Sequence, residues 1–124
     1  MSKTVLVADD EPNIVVSLEY LLQRAGYNVI VARDGEQALT CVALHRPDMI
    51  LLDVMLPLKS GFEVCQKIRH TPEWQDIRII MLTAKGRETE VSKGLAIGAD
   101  AYITKPFSTK DLMADIRRLL GEAG

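Results

Sequence analysis

The sequence is short of several things, and each shortage excludes a class of protein. It has almost no excess of one charge: 15 Lys and Arg stand against 17 Asp and Glu, a net charge of −2. Binding nucleic acid by bulk electrostatics needs a basic surplus, so that mode is excluded. Long apolar runs are missing. Stretches such as Met49–Leu52 end within a few residues, far short of the roughly 20 needed to cross a bilayer. At the N-terminus, Val5–Ala8 is cut off by Asp9-Asp10-Glu11, too soon for a secretion signal. There are 2 cysteines, Cys41 and Cys65, with no CxxC spacing. They make no disulfide framework, and a reducing, cytoplasmic setting is expected. Neither GxGxxG nor GxxxxGK[ST] occurs, so the usual phosphate loops of nucleotide binders are absent. No internal repeat, linker or low-complexity stretch interrupts the chain.

What is there suits one domain. The 124 residues leave no room for two of ordinary size. At 48% apolar residues the chain can build a sizeable core and is not a candidate for disorder. Apolar runs with β-branched character recur at Thr4–Ala8, Asn28–Ala32, Asp48–Leu52, Ile77–Leu82 and Ala101–Thr104. Most lack polar alternation, which predicts strands covered on both faces and hence a parallel sheet.

Helical periodicity fills the gaps. Ile14, Val15, Leu18, Leu21 and Leu22 share one face, with Pro12 suited to the first turn and Gly26 to the C-terminal cap. Gly35–His45 forms a second helix with Ala38, Leu39 and Val42 inward. A third opens on the capping-box spacing Ser60-Gly61-Phe62-Glu63 and turns Phe62, Cys65 and Ile68 inward. The fourth, Glu88–Ile97, has a thin apolar stripe, Val91 and Leu95, around an internal Gly94. The fifth opens at Ser108 and carries Leu112, Met113, Ile116, Leu119 and Leu120. Five strands alternating with five helices predict a single doubly wound α/β domain.

Ligands of such sheets bind beyond the carboxyl ends of the strands. The residues there are Asp9-Asp10-Glu11, Asp53, Thr83 and Lys105-Pro106. Taken singly, an Asp after a strand is more often a turn former or helix cap than a ligand, and a Thr in such a run is usually a strand residue. Together they say more. Two like charges at 4 Å cost about 4 kcal/mol at an effective dielectric near 20, so a carboxylate cluster shifts a pKa or takes up a cation. All-oxygen ligands select a hard ion, Mg²⁺ or Mn²⁺. A hydroxyl and an ammonium beside that ion suit a phosphoryl group. No His or Cys stands at a strand end, which argues against imidazole or thiol catalysis. His45 and His70 sit near helix C-termini, where a cation is mildly favoured, and Cys65 and Trp74 read as packing residues.

The segments Val5-Leu6-Val7-Ala8-Asp9-Asp10-Glu11, Leu51-Leu52-Asp53-Val54-Met55-Leu56-Pro57, Gly61, Met81-Leu82-Thr83-Ala84 and Tyr102-Ile103-Thr104-Lys105-Pro106-Phe107 resemble the receiver domains of two-component response regulators. The resemblance runs from Lys3 to about Leu120 and implies one receiver domain over residues 1–124, with a five-stranded sheet in the order 2-1-3-4-5. It implies that Asp53 takes a phosphoryl group from a histidine kinase or phosphotransfer protein. Asp10, Asp53 and the Met55 carbonyl would ligate Mg²⁺, with Mn²⁺ as a substitute and Asp9 acting mainly through water. Lys105 would pair with the phosphoryl oxygens, and with Asp53 at rest. Thr83 would turn to the phosphoryl group and Tyr102 would follow inward. That would switch the face formed by the fourth helix, fifth strand and fifth helix toward a downstream protein. Lys105-Pro106 resembles the family's cis peptide, which would aim the lysine. Lys85 and Met55 occupy positions that tune phosphoryl lifetime in the family. No enzymatic activity beyond the domain's own phosphorylation and dephosphorylation is implied.

Met55-Leu56-Pro57 and Gly98-Ala99-Asp100 resemble the receivers of winged-helix transcription factors, which dimerise through crossed ion pairs. Here Ala101, Asp115, Glu122 and Val91 stand where those pairs would need charged partners of the right sign. A monomer or weak dimer is expected instead, with no direct nucleic-acid contact and no membrane association. Two other readings compete. One is a receiver that acts as an interaction module without phosphorylation. The other is a Mg²⁺-dependent aspartyl phosphatase of the haloacid-dehalogenase type. The latter would need an Asp-x-Asp pattern at the first strand, where Asp9 and Asp10 are adjacent and Glu11 follows.

Overall fold

A computed structural model describes residues 2–84 and 88–121, with the side chains of Glu88, Glu90 and Val91 also outside the description. Lys85 and Glu122 therefore lie outside the described residues, as does the side chain of Val91. The elements run β1 (Thr4–Ala8), α1 (Pro12–Arg24), β2 (Asn28–Ala32), α2 (Gly35–His45), β3 (Met49–Asp53), α3 (Gly61–Arg69), β4 (Arg78–Ala84), α4 (Glu88–Ala96), β5 (Ala101–Lys105) and α5 (Thr109–Leu119). A short 3-10 turn, Pro72–Trp74, precedes β4. The strands form one parallel sheet in the order β2-β1-β3-β4-β5.

Burial explains why most of these strands read as unbroken apolar runs. Every residue of β3 is buried, as are the last four of β1 and the middle five of β4. Edge strands β2 and β5 are only partly covered. Side chains alternate between the two faces. Leu6, Ala8, Ile50, Leu52, Ile79 and Met81 pack with Val42 of α2 and Val64, Cys65 and Ile68 of α3. Val5, Val7, Met49, Leu51, Ile80 and Leu82 pack on the other face with Leu18 and Leu22 of α1 and Leu112 and Ile116 of α5.

Local signals act where expected. Gly26 adopts φ +95 after the end of α1. Ser60 and Glu63 form the reciprocal capping box of α3, and Ser108 accepts from the Asp111 amide at the start of α5. The inward face of α3 is refined by the structure. Phe62 is partly buried, packed against the core with Lys93 over its ring, and Val64 adds to the core beside Cys65. In α4, Leu95 is 42% exposed. Among the described side chains of this helix Gly94 is buried, and a Cβ there would meet Phe62 and Met81 at 3.4–3.5 Å, an ordinary contact.

Strand limits also shift. β3 starts one residue late and includes Asp53, β4 spans Arg78–Ala84, and β5 extends through Lys105. The ladder pairs Asp53 with Leu82, Thr83 with Thr104, and Ala84 with Lys105. Asp53, Thr83 and Lys105 are thus held by sheet backbone, not by loops. Asp48, outside the strand, accepts from the Thr4 amide at 2.8 Å and ties the start of β1.

Candidate functional site at the carboxyl edge of the sheet

β1 and β3 are neighbours whose connections leave in opposite directions, and a crevice opens beyond their carboxyl ends. Asp9 and Asp10 follow β1, and Asp53 ends β3. Carboxylate oxygens of all three lie within 4.8 Å of one another. Asp9 is fully buried, Asp53 is 5% exposed, and Asp10 faces solvent.

Two of the three carboxylates have a local anchor. Asp9 Oδ1 accepts from the Glu11 amide at 2.9 Å, and Asp53 Oδ1 accepts from the Met55 amide at 3.0 Å. The turn after β3 is braced from behind: the Val54 amide donates to Leu82 O, and the Gly61 amide donates to Val54 O, both at 3.0 Å. Gly61 lies directly against the Asp53 carbonyl, where any Cβ would collide with backbone. That requirement explains the glycine at the first position of α3.

Lys105 reaches across from β5. Its Nζ lies 2.8 Å from Glu11 Oε1, 2.9 Å from Asp9 Oδ2 and 3.4 Å from Asp53 Oδ2. The buried Asp9 Oδ2 is thus paired with the Lys105 ammonium. Thr83 Oγ1, 2% exposed, has no partner. Unpaired buried polar atoms are uncommon in folded proteins. Thr83 Oγ1 is such a case, and it belongs to this edge.

Electrostatics follow from that geometry. Burial raises the Asp53 pKa above its ordinary 3.8, with Asp9 repulsion adding and the Met55 amide and Lys105 opposing. Burial works to lower the Lys105 pKa, but the carboxylates of Asp9, Glu11 and Asp53 outweigh it and raise it. The Cys65 thiol is pushed up to about 11 by burial, which suits an inert core residue. His45 ends α2 and His70 caps α3.

The Lys105–Pro106 bond is cis. The Met55 side chain and Tyr102 are 56% and 46% exposed. Glu11 is the residue whose place sequence reasoning did not assign. Its position in the acidic run was visible, but its contact with a lysine 94 residues away was not.

The chain matches the family model of the response regulator receiver domain over residues 5–117. It is 48% identical over 120 residues to the alkaline phosphatase synthesis transcriptional regulatory protein PhoP of Bacillus subtilis, covering 97% of this chain and 49% of that protein. It superposes on the chemotaxis response regulator CheY4 of Vibrio cholerae with a TM-score of 0.89 at 33% identity, covering 96% of this chain and 99% of that one. A receiver domain of the sensor histidine kinase PA1611 from Pseudomonas aeruginosa, solved with magnesium in its active-site cleft, gives 0.89 at 30% identity, covering 98% of this chain and all of the other. The chain belongs to the response regulator receiver domains of two-component signalling. It spans about half the length of the curated relatives it matches. No helix among the described residues is long and apolar enough to cross a membrane.

Proposed function

We propose that residues 1–124 act as a cytoplasmic phosphoacceptor unit in which Asp53 is the nucleophile. One observation carries this: a nearly buried carboxylate stands among two further acids and a lysine, with an unpartnered threonine hydroxyl on the neighbouring strand. In the reaction an Asp53 oxygen attacks phosphorus, and the P–N bond to the donor imidazole breaks. Its electron pair returns to the ring nitrogen. The donor is a histidine kinase or phosphotransfer protein.

The three acids fit a hard divalent cation, since they offer only oxygen and bring three carboxylates within 4.8 Å of one another. Asp10, Asp53 and the Met55 carbonyl would hold Mg²⁺, or Mn²⁺ in its place, with Asp9 assisting through water. When bound, the ion neutralises charge on the transferring phosphoryl group. The Met55 amide orients Asp53. Lys105 supplies the second positive charge. Thr83 offers a hydroxyl donor that nothing else occupies. Engaging it couples the phosphoryl group to β4. Tyr102, on the adjacent strand and half-exposed, transmits the change to a protein partner on the α4-β5-α5 face. Asp115, in α5, pairs within its own helix with Arg118 at 3.2 Å, which supports a monomer or weak dimer on that face. The net charge of −2 supports the absence of direct nucleic-acid contact.

The test is intact mass after incubation with Mg²⁺ and acetyl phosphate, with EDTA and Asp53→Asn controls. A gain of about 80 Da, one phosphoryl group, that needs Mg²⁺ and disappears in Asp53→Asn is expected. Rapid hydrolysis is covered by repeating the experiment with beryllofluoride and following amide shifts by NMR. No adduct and no shift would leave an interaction module that works without phosphorylation.

A further inference from the structure

Glu11 has no part in the reaction above, yet it makes the shortest contact of Lys105, 2.8 Å against 3.4 Å for Asp53. The three carboxylates around this ammonium differ in freedom. Those of Asp9 and Asp53 are 0% and 7% exposed, whereas that of Glu11 is 58% exposed. Glu11 stands at the N-cap of α1, and its own side chain caps nothing there. Its amide is bound to Asp9 Oδ1, so its backbone is fixed beside the acid pair while its carboxylate reaches over to β5.

The geometry points to Glu11 as a positioning residue that parks the Lys105 ammonium on the Asp9 side of the crevice while Asp53 is unmodified and releases it when phosphoryl oxygens arrive. The inference rests on the phosphoacceptor reading. Release follows from relative strength. A half-exposed carboxylate is screened by water and holds a cation weakly. An acyl phosphate brings about −1.5 to −2 charge into the less exposed part of the site. The two then compete for one ammonium, so Glu11 lowers the hold of Lys105 on the phosphoryl group.

Two measurements on Glu11→Gln test this, with Glu11→Ala as a repeat. The first needs no phosphoryl chemistry: ¹⁵N NMR of the lysine ammonium groups in metal-free protein. The Lys105 Nζ signal is expected to shift and its protons to exchange faster in the variant. An unchanged signal overturns the inference. The second is a beryllofluoride titration at saturating Mg²⁺. Affinity is expected to rise about two- to five-fold, the range for an exposed ion pair, and Glu11→Gln is expected to change nothing in a Lys105→Ala background. No rise, or an equal rise in both backgrounds, overturns it, because the effect would then not pass through Lys105. If beryllofluoride binds no variant, the phosphoacceptor reading fails, and the Nζ signal alone decides where Glu11 holds the lysine.

Discussion

Arg69, the last residue of α3, and Asp100, just before β5, form an ion pair at 2.9 Å across 31 residues of sequence. The same guanidinium donates from Nε to Gly98 O at 2.8 Å. The same carboxylate oxygen accepts from the Ile79 amide at 2.8 Å. Arg78 adds a looser contact at 3.6 Å. The carboxyl end of α4 is thereby tied to α3 and β4, at the edge of the sheet opposite the acidic crevice.

Removing the acceptor should loosen that end. Asp100→Ala strands the Ile79 amide and removes the ion-pair partner of Arg69, which keeps its bond to Gly98 O, and a loss of about 2 kcal/mol is expected. Urea denaturation reads it as a lower midpoint at unchanged slope. A change below about 0.5 kcal/mol, the range of an ordinary surface substitution, would show that the tie contributes little.

Gly61→Ala tests the packing behind Asp53. A Cβ there meets the Asp53 carbonyl and the Val54 backbone, neither of which is a flexible side-chain end. Overpacking of this kind costs about 1–3 kcal/mol. Because the displaced residue is the proposed nucleophile, Mg²⁺ affinity followed by amide shifts should weaken as well. Lost stability with unchanged Mg²⁺ binding would mean that α3 yields and Asp53 stays in place.

Asp53→Asn should stabilise the metal-free domain at pH 7. Burial raises the Asp53 pKa, so the folded state binds its proton more tightly than the unfolded chain does. The contribution of such a group is fully present below its unfolded pKa, about 4, and is lost as pH rises through the raised folded value. The advantage of the variant should therefore vanish on acidification to about pH 4 and below. Denaturation midpoints across pH provide the check. A variant less stable than wild type at pH 7 would show that the Lys105 contact outweighs the burial of charge.

Thr83→Val separates stability from switching. Thr83 Oγ1 is buried without a partner, so replacing it should be neutral or stabilising by about 1 kcal/mol. With Mg²⁺ and beryllofluoride, the Tyr102 amide shift should be lost. Marked destabilisation would point to a hydrogen bond that the hydroxyl makes in the resting protein.

The legible parts of this protein were those governed by near neighbours. Runs covered on both faces announced a parallel sheet, and Ser60-x-x-Glu63 and Ser108 announced helix starts. Boundaries were less legible. Asp53, Thr83 and Lys105 read as residues after strands because polar groups usually end them, yet ladder pairing carries β3, β4 and β5 through or up to them. In α4 the pattern did not show that Leu95 stays 42% exposed while Gly94 is buried, because docking on the sheet decides which side of a helix is covered.

By itself, the sequence determined the α/β alternation, the residue types at the strand ends and the hard-oxygen chemistry they favour. Periodicity, capping and ligand chemistry act through residues close in the chain or through composition. Only the tertiary structure decided which carboxylate holds Lys105, that Thr83 Oγ1 lacks a partner, and that Arg69 ties down the end of α4. Those are distances between residues brought together across 29 to 94 positions, set by sheet order and register, and no local pattern encodes them.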